Sequence, residues 1–129
     1  MCSNEYMELE NIVNDTQDFI QRVNELVGPH VSEDPSTLVV ELSRVIGVLA
    51  ESTLVTEGKL PAHPARPPRL AHDVADMLFM LVAISNHYHI DLEKAWNEWI
   101  LPTRARLDDA AFVQTIHDRV TRTRQQKAR

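Results

Sequence analysis

The chain has 129 residues, which is enough for one domain with its own hydrophobic core. Hydrophobic residues make up 43% and charged residues 25%, an ordinary balance for a globular protein. The formal net charge of −6 argues against a general nucleic-acid-binding protein, because no basic field covers the chain. Three glycines and few aromatic residues argue against an all-β sandwich, which needs many turns.

Cysteine usage and the N-terminal sequence predict a cytoplasmic protein. Cys2 is the single cysteine, so no disulfide forms within the chain and a reducing compartment is expected. The opening MCSNEYMELE is acidic and polar, unlike a secretory or mitochondrial leader. No apolar run reaches the length of a membrane span, so no membrane partner is expected.

Two helices are predicted in the first half of the chain. Apolar residues recur at helical spacing from Tyr6 through NEYMELENIVNDTQDFIQRVNELVG, and Gly28 with Pro29 ends this segment. The second helix begins at EDPST, where Asp34 is expected to cap and Pro35 to occupy the first helical position. Its apolar stripe consists of Leu38, Leu42, Val45, Ile46 and Leu49. This helix is expected to be mostly buried.

The sequence of the second half of the chain predicts a loop followed by three more helices. Four of the seven prolines fall in KLPAHPARPPR, so this stretch is expected to be a loop. The third helix is expected from about Leu70 to Tyr88 and is the most hydrophobic of the five. Asp91 caps a fourth helix, DLEKAWNEWIL, which Pro102 is expected to end or kink. A fifth helix in DDAAFVQTIHDRVTRT leads into a basic tail expected to be solvated or frayed.

Helices joined by loops, with no credible strand, predict an all-α bundle of four to five helices. We expect a single domain over residues 1–129. Its core covers about 4–107, and the C-terminal helix and basic tail occupy 108–129.

A group of carboxylates on two of these helices predicts a metal site. Asp73 and Asp76 are three residues apart and project from one face of the third helix. Glu41 and Arg44 have the same spacing on the second helix. Antiparallel packing of these helices would let Glu41 meet the two aspartates. Three carboxylates suit Mg²⁺, which prefers oxygen ligands and retains water molecules.

Over about residues 38–107, the chain resembles the MazG-like all-α NTP pyrophosphatases. That family has a helix with E-x-x-E, a loop, a helix with E-x-x-D before an apolar run, and then a helix beginning with a phrase such as G-I-D-L-E-E-A. The second half of this pattern is clear here as H-D-V-A-D-M-L-F-M-L and Y-H-I-D-L-E-K-A-W.

Three departures from the family pattern accompany the resemblance. The E-x-x-E motif falls on Glu41 to Arg44, so an arginine replaces its second glutamate. The E-x-x-D motif falls on Asp73 to Asp76, where the first position is shortened but keeps its charge. Of the N-x-x-R-Y pattern after the fourth helix, only Arg106 is kept.

The resemblance implies Mg²⁺-dependent or Mn²⁺-dependent hydrolysis of a nucleoside triphosphate to the monophosphate and pyrophosphate. On this hypothesis Glu41, Asp73 and Asp76 hold the metal, which activates the attacking water. The arginines expected to balance charge on the phosphate oxygens are Arg44, Arg104 and Arg106. The resemblance also implies a homodimer or homotetramer.

Arg44 leaves two interpretations open, because a guanidinium is always charged and does not ligate a cation. In one, a single Mg²⁺ remains and Arg44 binds a substrate phosphate. In the other, Arg44 forms a buried ion-pair network with Asp73 or Asp76, and the metal site is lost. The alternative function is then a non-catalytic MazG-fold protein that acts in nucleotide binding or protein–protein interaction.

Aromatic and imidazole side chains outside this group have simpler expected roles. Trp96 and Trp99, three apart on the fourth helix, are expected in the core or at a subunit interface, with base stacking as the alternative. His87 and His89 are expected to end the third helix, where a cationic imidazole complements the helix dipole.

Overall fold

A computed structural model describes residues 8–28 and 34–128 of the chain. These residues form α1 (Leu9–Val27), α2 (Pro35–Thr56), α3 (Leu70–His87), α4 (Leu92–Ala105), a short 3₁₀ helix (Arg106–Asp108) and α5 (Ala110–Lys127). Within these ranges no strand forms beyond an isolated bridge between His63 and Arg66, which confirms the all-α class. Tyr6 and Pro29, expected near the ends of the first helix, lie outside the described residues.

Contacts divide the chain into two compact units, of which the first ends at Ile90 and the second begins at Asp91. The first unit contains α1, α2 and α3, and the second contains α4, the 3₁₀ helix and α5. The single domain with a core over residues 4–107 stays a prediction.

In the first unit, α3 packs against both other helices, and more extensively against α2 than against α1. Ser52, near the end of α2, bonds to Asp73 at the start of α3, so these two helices are antiparallel. Asn86, near the end of α3, donates to the carbonyl oxygen of Val13 near the start of α1 at 3.4 Å. Helix α3 is therefore antiparallel to both of its neighbours.

The described core of the first unit is small. Its buried apolar side chains are Leu38 and Val45 on α2 and Val82 and Ala83 on α3. Many other large apolar side chains of this unit remain exposed, so the predicted burial of most of α2 holds only for part of the helix. The described residues thus leave much apolar surface in contact with water. Burial of that surface would stabilise the protein by about 0.8 kcal/mol per CH₂ group.

Side chains cap three helices. The Asp34 carboxylate accepts a hydrogen bond from the backbone N–H of Thr37, and Pro35 occupies the first helical position, as predicted for α2. Asp91 accepts from the N–H of Lys94 at the start of α4, which confirms the second predicted cap. Asp109 caps α5 by accepting from the N–H of Ala111. Each carboxylate satisfies a backbone donor that has no partner inside its helix.

The end of α3 agrees with the sequence prediction, whereas the ends of α4 and α5 differ from it. Helix α3 ends at His87, because the N–H of Ile90 bonds back to the carbonyl of Ser85 while His89 adopts a φ of 54°. This is the usual way in which a left-handed residue closes a helix. Helix α4 continues through Pro102 to Ala105, so this proline does not end it. Helix α5 reaches Lys127 and includes most of the basic tail.

The Asp34 cap makes part of the stability of α2 depend on pH. The hydrogen bonds from the Thr37 side chain and backbone hold the pKa of Asp34 below its ordinary value of 3.8. A lowered folded-state pKa means that this contribution is present above about pH 4 and is lost as the pH falls through the lower value. We expect Asp34→Asn, which caps without titrating, to remove this part of the acid dependence, as measured by urea denaturation from pH 2 to 6. An unchanged acid dependence in the variant would contradict this assignment.

Candidate metal and phosphate site

Asp73 is the one acidic residue among the buried residues described, with 7% of its surface exposed. It lies in the first turn of α3, where the helix dipole favours a negative charge. The hydroxyl of Ser52 on α2 donates to Oδ2 of Asp73 at 2.5 Å, and Ser52 is also buried. Within residues 8–28 and 34–128, no basic side chain forms an ion pair with Asp73. The structure therefore places a carboxylate with one hydroxyl partner inside the α2–α3 contact.

Asp76 lies one turn further along α3 and is half-buried. It lines an open groove of about 480 Å³ between α1 and α3. The other lining residues are Ile12, Asp15, Thr16, Phe19, Ala75, Leu78 and Phe79. The rings of Phe19 and Phe79 meet edge-to-face with their centroids 5.6 Å apart and hold the two helices together. Asp73 thus bonds to α2, whereas Asp76 borders the α1–α3 groove.

Glu41 and Arg44 form an ion pair with each other on α2. Nε of Arg44 donates to Oε2 of Glu41 at 2.9 Å, and the side chains are 61% and 45% exposed for Arg44 and Glu41, respectively. The hydrogen bond with Glu41 and its charge raise the pKa of Arg44, and the charge of Asp76 adds to this effect. Arg44 therefore lies in the electrostatic field of Asp76 while remaining open to solvent. The expected alternative, a buried network of Arg44 with Asp73 or Asp76, is not what the structure shows.

The register of α2 against α3 separates Glu41 from the level of Asp73. Ser52 marks the level of Asp73, and Glu41 precedes Ser52 by eleven residues, or about 16 Å along the helix axis. The structure therefore does not bring Glu41 next to Asp73, and the three-carboxylate metal site stays a prediction. One turn before Ser52 the helix carries Val48 and Leu49, which offer no oxygen ligand. Among the described residues, no group of three or more His, Cys, Asp or Glu side chains is arranged to hold a metal.

Arg104 and Arg106, the other predicted phosphate-binding residues, belong to the second unit. Arg104 lies in the last turn of α4 and borders a shallow surface cleft together with Asp108. The guanidinium of Arg106 lies 5.6 Å from the centre of the Phe112 ring, within the range of a cation–π interaction. Their role toward a phosphate stays a prediction.

Ser52 is the residue of this site that the sequence analysis missed. Leu38, Val45 and Ser52 are spaced by seven residues, so they share one face of α2, and all three are buried. The predicted apolar stripe stopped at Leu49 because a serine does not register as apolar. Extending the seven-residue spacing by one more step would have placed Ser52 against α3.

Trp96 and Trp99 form a tilted pair on α4 with ring centroids 5.3 Å apart. Both are more than half exposed within the described part of the chain, and Leu92 and Ala95 extend the apolar patch around them. Among the described residues they are therefore exposed rather than buried in a core. A subunit interface, with base stacking as the alternative, stays a prediction for them.

Comparisons with protein-family models, curated proteins and solved structures gave no match. The MazG-like resemblance therefore stays a prediction that rests on the motifs quoted above. Among the described helices, none is both long enough and apolar enough to cross a membrane.

Proposed function

We propose that the chain is a Mg²⁺-dependent nucleotide pyrophosphohydrolase of the MazG-like type, which hydrolyses a nucleoside triphosphate to the monophosphate and pyrophosphate. The observation that carries the proposal is the buried carboxylate of Asp73, which has a hydroxyl partner but no basic partner among the described residues. An ionised group in such a place is costly unless a cation compensates its charge. A bound divalent cation supplies that compensation.

The proposed donor set is smaller than the three carboxylates expected from the sequence, because Glu41 lies far from the level of Asp73. Mg²⁺ in nucleotide sites is held by one or two carboxylates together with waters and substrate phosphates. Asp73 and Asp76, one turn apart on α3, supply the two carboxylates, and Glu41 is left out of the ligand set. When bound, the ion would polarise the phosphoryl group and lower the pKa of the attacking water.

The protein's own residues would then position the charges around the substrate. Ser52 fixes Oδ2 of Asp73 through its hydrogen bond. Glu41 engages Nε of Arg44, so the two terminal nitrogens of the guanidinium remain as donors for phosphate oxygens. Glu41 is thereby reassigned from a metal ligand to a residue that positions Arg44.

The proposed activity is tested with a panel of ribonucleoside and deoxyribonucleoside triphosphates, each incubated with Mg²⁺, with Mn²⁺ or with EDTA. We expect at least one nucleotide to give the monophosphate and pyrophosphate in equal amounts, and only with a metal present. Chromatography of the nucleotides and a separate assay of pyrophosphate measure the two products. Absence of pyrophosphate from every nucleotide with both metals would exclude the proposal.

A second candidate function, a non-catalytic protein that acts through self-association, is favoured by the exposed face of α3. Val74, Leu78 and Leu81 are spaced by four and three residues, so they form one apolar stripe along the helix, and all three are exposed. A stripe of this kind on a soluble domain commonly marks an interaction surface. A homodimer or homotetramer formed through it is compatible with either function.

We expect the full chain to sediment as an oligomer and the double variant Val74→Glu/Leu81→Glu to sediment as a monomer. Two charges placed in the apolar stripe would have to be buried without partners in the assembly. Leu26→Glu, at an exposed apolar position of α1, is the matched control and should leave the oligomer intact. A monomeric parent at high protein concentration would contradict the role of this stripe.

A further inference from the structure

The loop between α2 and α3 contains a three-residue repeat. Residues 61–69 are PAH, PAR and PPR, three triplets that each begin with proline and end with histidine or arginine. A polyproline II helix has three residues per turn, so each triplet makes one turn. In that conformation Pro61, Pro64 and Pro67 lie along one edge of the helix. The third residues of the triplets, His63, Arg66 and Arg69, lie along another.

This loop is exposed along its whole length. Every residue from 56 to 69 is exposed to solvent, and none contributes to the core of the first unit. The loop has 13 residues, from 57 to 69, whereas connections between helices in bundles commonly need about 2–8. The repeat is therefore presented on a connection longer than the joining of α2 and α3 requires.

A small turn occupies the centre of the repeat. The N–H of Arg66 donates to the carbonyl of His63 at 3.0 Å, and the N–H of Ala65 donates to Nδ1 of the same histidine at 3.1 Å. Residues 67–69 lie outside this turn and have no helical or turn structure. Both hydrogen bonds are exposed and compete with water, so a partner that binds the extended form can readily offset their loss.

The loop is long enough for residues 64–69 to adopt the polyproline II conformation while the end of α2 stays next to the start of α3. Six residues of polyproline II span about 19 Å. The remaining residues, 57–63, span up to about 23 Å when extended. Returning over that distance releases the hydrogen bonds that the N–H groups of the exposed residues 57–60 make to the end of α2. The six residues 64–69 form the sequence Pro-x-x-Pro-x-Arg, in which Arg69 directly precedes α3.

We propose that residues 64–69 are a ligand for a protein domain that recognises polyproline II helices through an aromatic-lined groove with an acidic pocket. Pro64 and Pro67 occupy the groove and Arg69 pairs with the acidic pocket, as in the general mode by which such domains bind proline-rich segments. Prolines already restrict the backbone, so little entropy is lost on binding. A polyanion such as nucleic acid is disfavoured, because the chain carries a net charge of −6 and a proline repeat contributes nothing to phosphate binding.

The test titrates the full chain with an isolated SH3 domain selected for Pro-x-x-Pro-x-Arg ligands, using isothermal titration calorimetry. We expect saturable binding with one domain per chain. Pro64→Ala/Pro67→Ala should abolish it, and Arg69→Ala should weaken it about tenfold through loss of a charge-assisted hydrogen bond. Pro61→Ala is the matched control, because it makes the same change one turn outside the motif, and its affinity should equal that of the parent. Circular dichroism should show unchanged helix content in all variants, since the altered residues are exposed.

Three results would overturn the proposal. The first is no saturable binding of the SH3 domain to the full chain. The second is an equal loss of binding in Pro61→Ala and in the Pro64→Ala/Pro67→Ala variant, which would indicate general stiffness of the loop. The third is binding of a DNA duplex that Arg66→Ala/Arg69→Ala abolishes while Pro64→Ala/Pro67→Ala leaves it unchanged, which would make the segment a polyanion site. None of these depends on pyrophosphohydrolase activity.

Discussion

Replacement of Asp73 by asparagine is expected to raise the thermal stability of the metal-free protein and to remove any further stabilisation by Mg²⁺. The asparagine keeps an oxygen that can accept from Ser52 but brings no charge into the α2–α3 contact. Ser52 and the start of α3 compensate the buried charge only in part, so its removal should stabilise the metal-free variant by about 1–3 kcal/mol. In the parent, Mg²⁺ at a hundred times its dissociation constant would add about 2.7 kcal/mol.

Differential scanning fluorimetry with a Mg²⁺ titration measures both effects. Asp18→Asn makes the same chemical change at an exposed position on α1, so this control should behave as the parent does. A metal-free Asp73→Asn variant less stable than the parent would mean that Ser52 and the start of α3 already compensate the charge. In that case the buried carboxylate would no longer support a metal site.

The largest loss of stability is expected from Leu38→Ala. Leu38 is 1% exposed and is one of the few fully buried side chains described in the first unit. Its truncation removes buried surface and leaves a cavity, which together cost about 2–5 kcal/mol. Urea denaturation followed by circular dichroism measures the change in the free energy of unfolding.

Leu26→Ala is the matched control for this experiment, because Leu26 is 66% exposed on α1. The control should change the free energy of unfolding by no more than about 0.5 kcal/mol. A loss below about 1 kcal/mol in Leu38→Ala would show that the first unit repacks around the cavity. Its small core would then be less rigid than the burial of Leu38 indicates.

The helices and their starts were predictable because the signals that specify them are local. Asp34 accepts a hydrogen bond from a free backbone N–H of the first turn of α2, and Pro35 has the backbone φ that this turn needs. Both residues are adjacent in sequence to the turn that they stabilise. The same applies to Asp91 at the start of α4. Pro102 was misjudged in one respect, because a proline inside a helix removes a single backbone donor and the flanking turns of α4 tolerate the loss.

The candidate site was harder to predict, because its geometry depends on the register between two helices. Spacing along one helix correctly placed Asp73 and Asp76 one turn apart. It gave no information on which part of α2 lies opposite them. In the structure Ser52 is level with Asp73 and Glu41 lies far along the axis, while Leu38, Val45, Val82 and Ala83 are the buried apolar residues of the two helices. A charge pattern predicts which residues are suited to a metal, but apolar packing decides which of them meet.

The central position of α3 in the first unit has a consequence for how this unit opens. Because α1 packs mainly on α3, and less extensively than α2 does, α1 can separate without disturbing the α2–α3 contact. Subglobal openings of this kind occupy states between the native and the fully unfolded protein. Backbone amides of α1 should therefore exchange with solvent through openings of lower free energy than those of α2 and α3. The groove beside Asp76 would widen in the same openings. The stability of the packing of α1 on α3 therefore determines access to this groove.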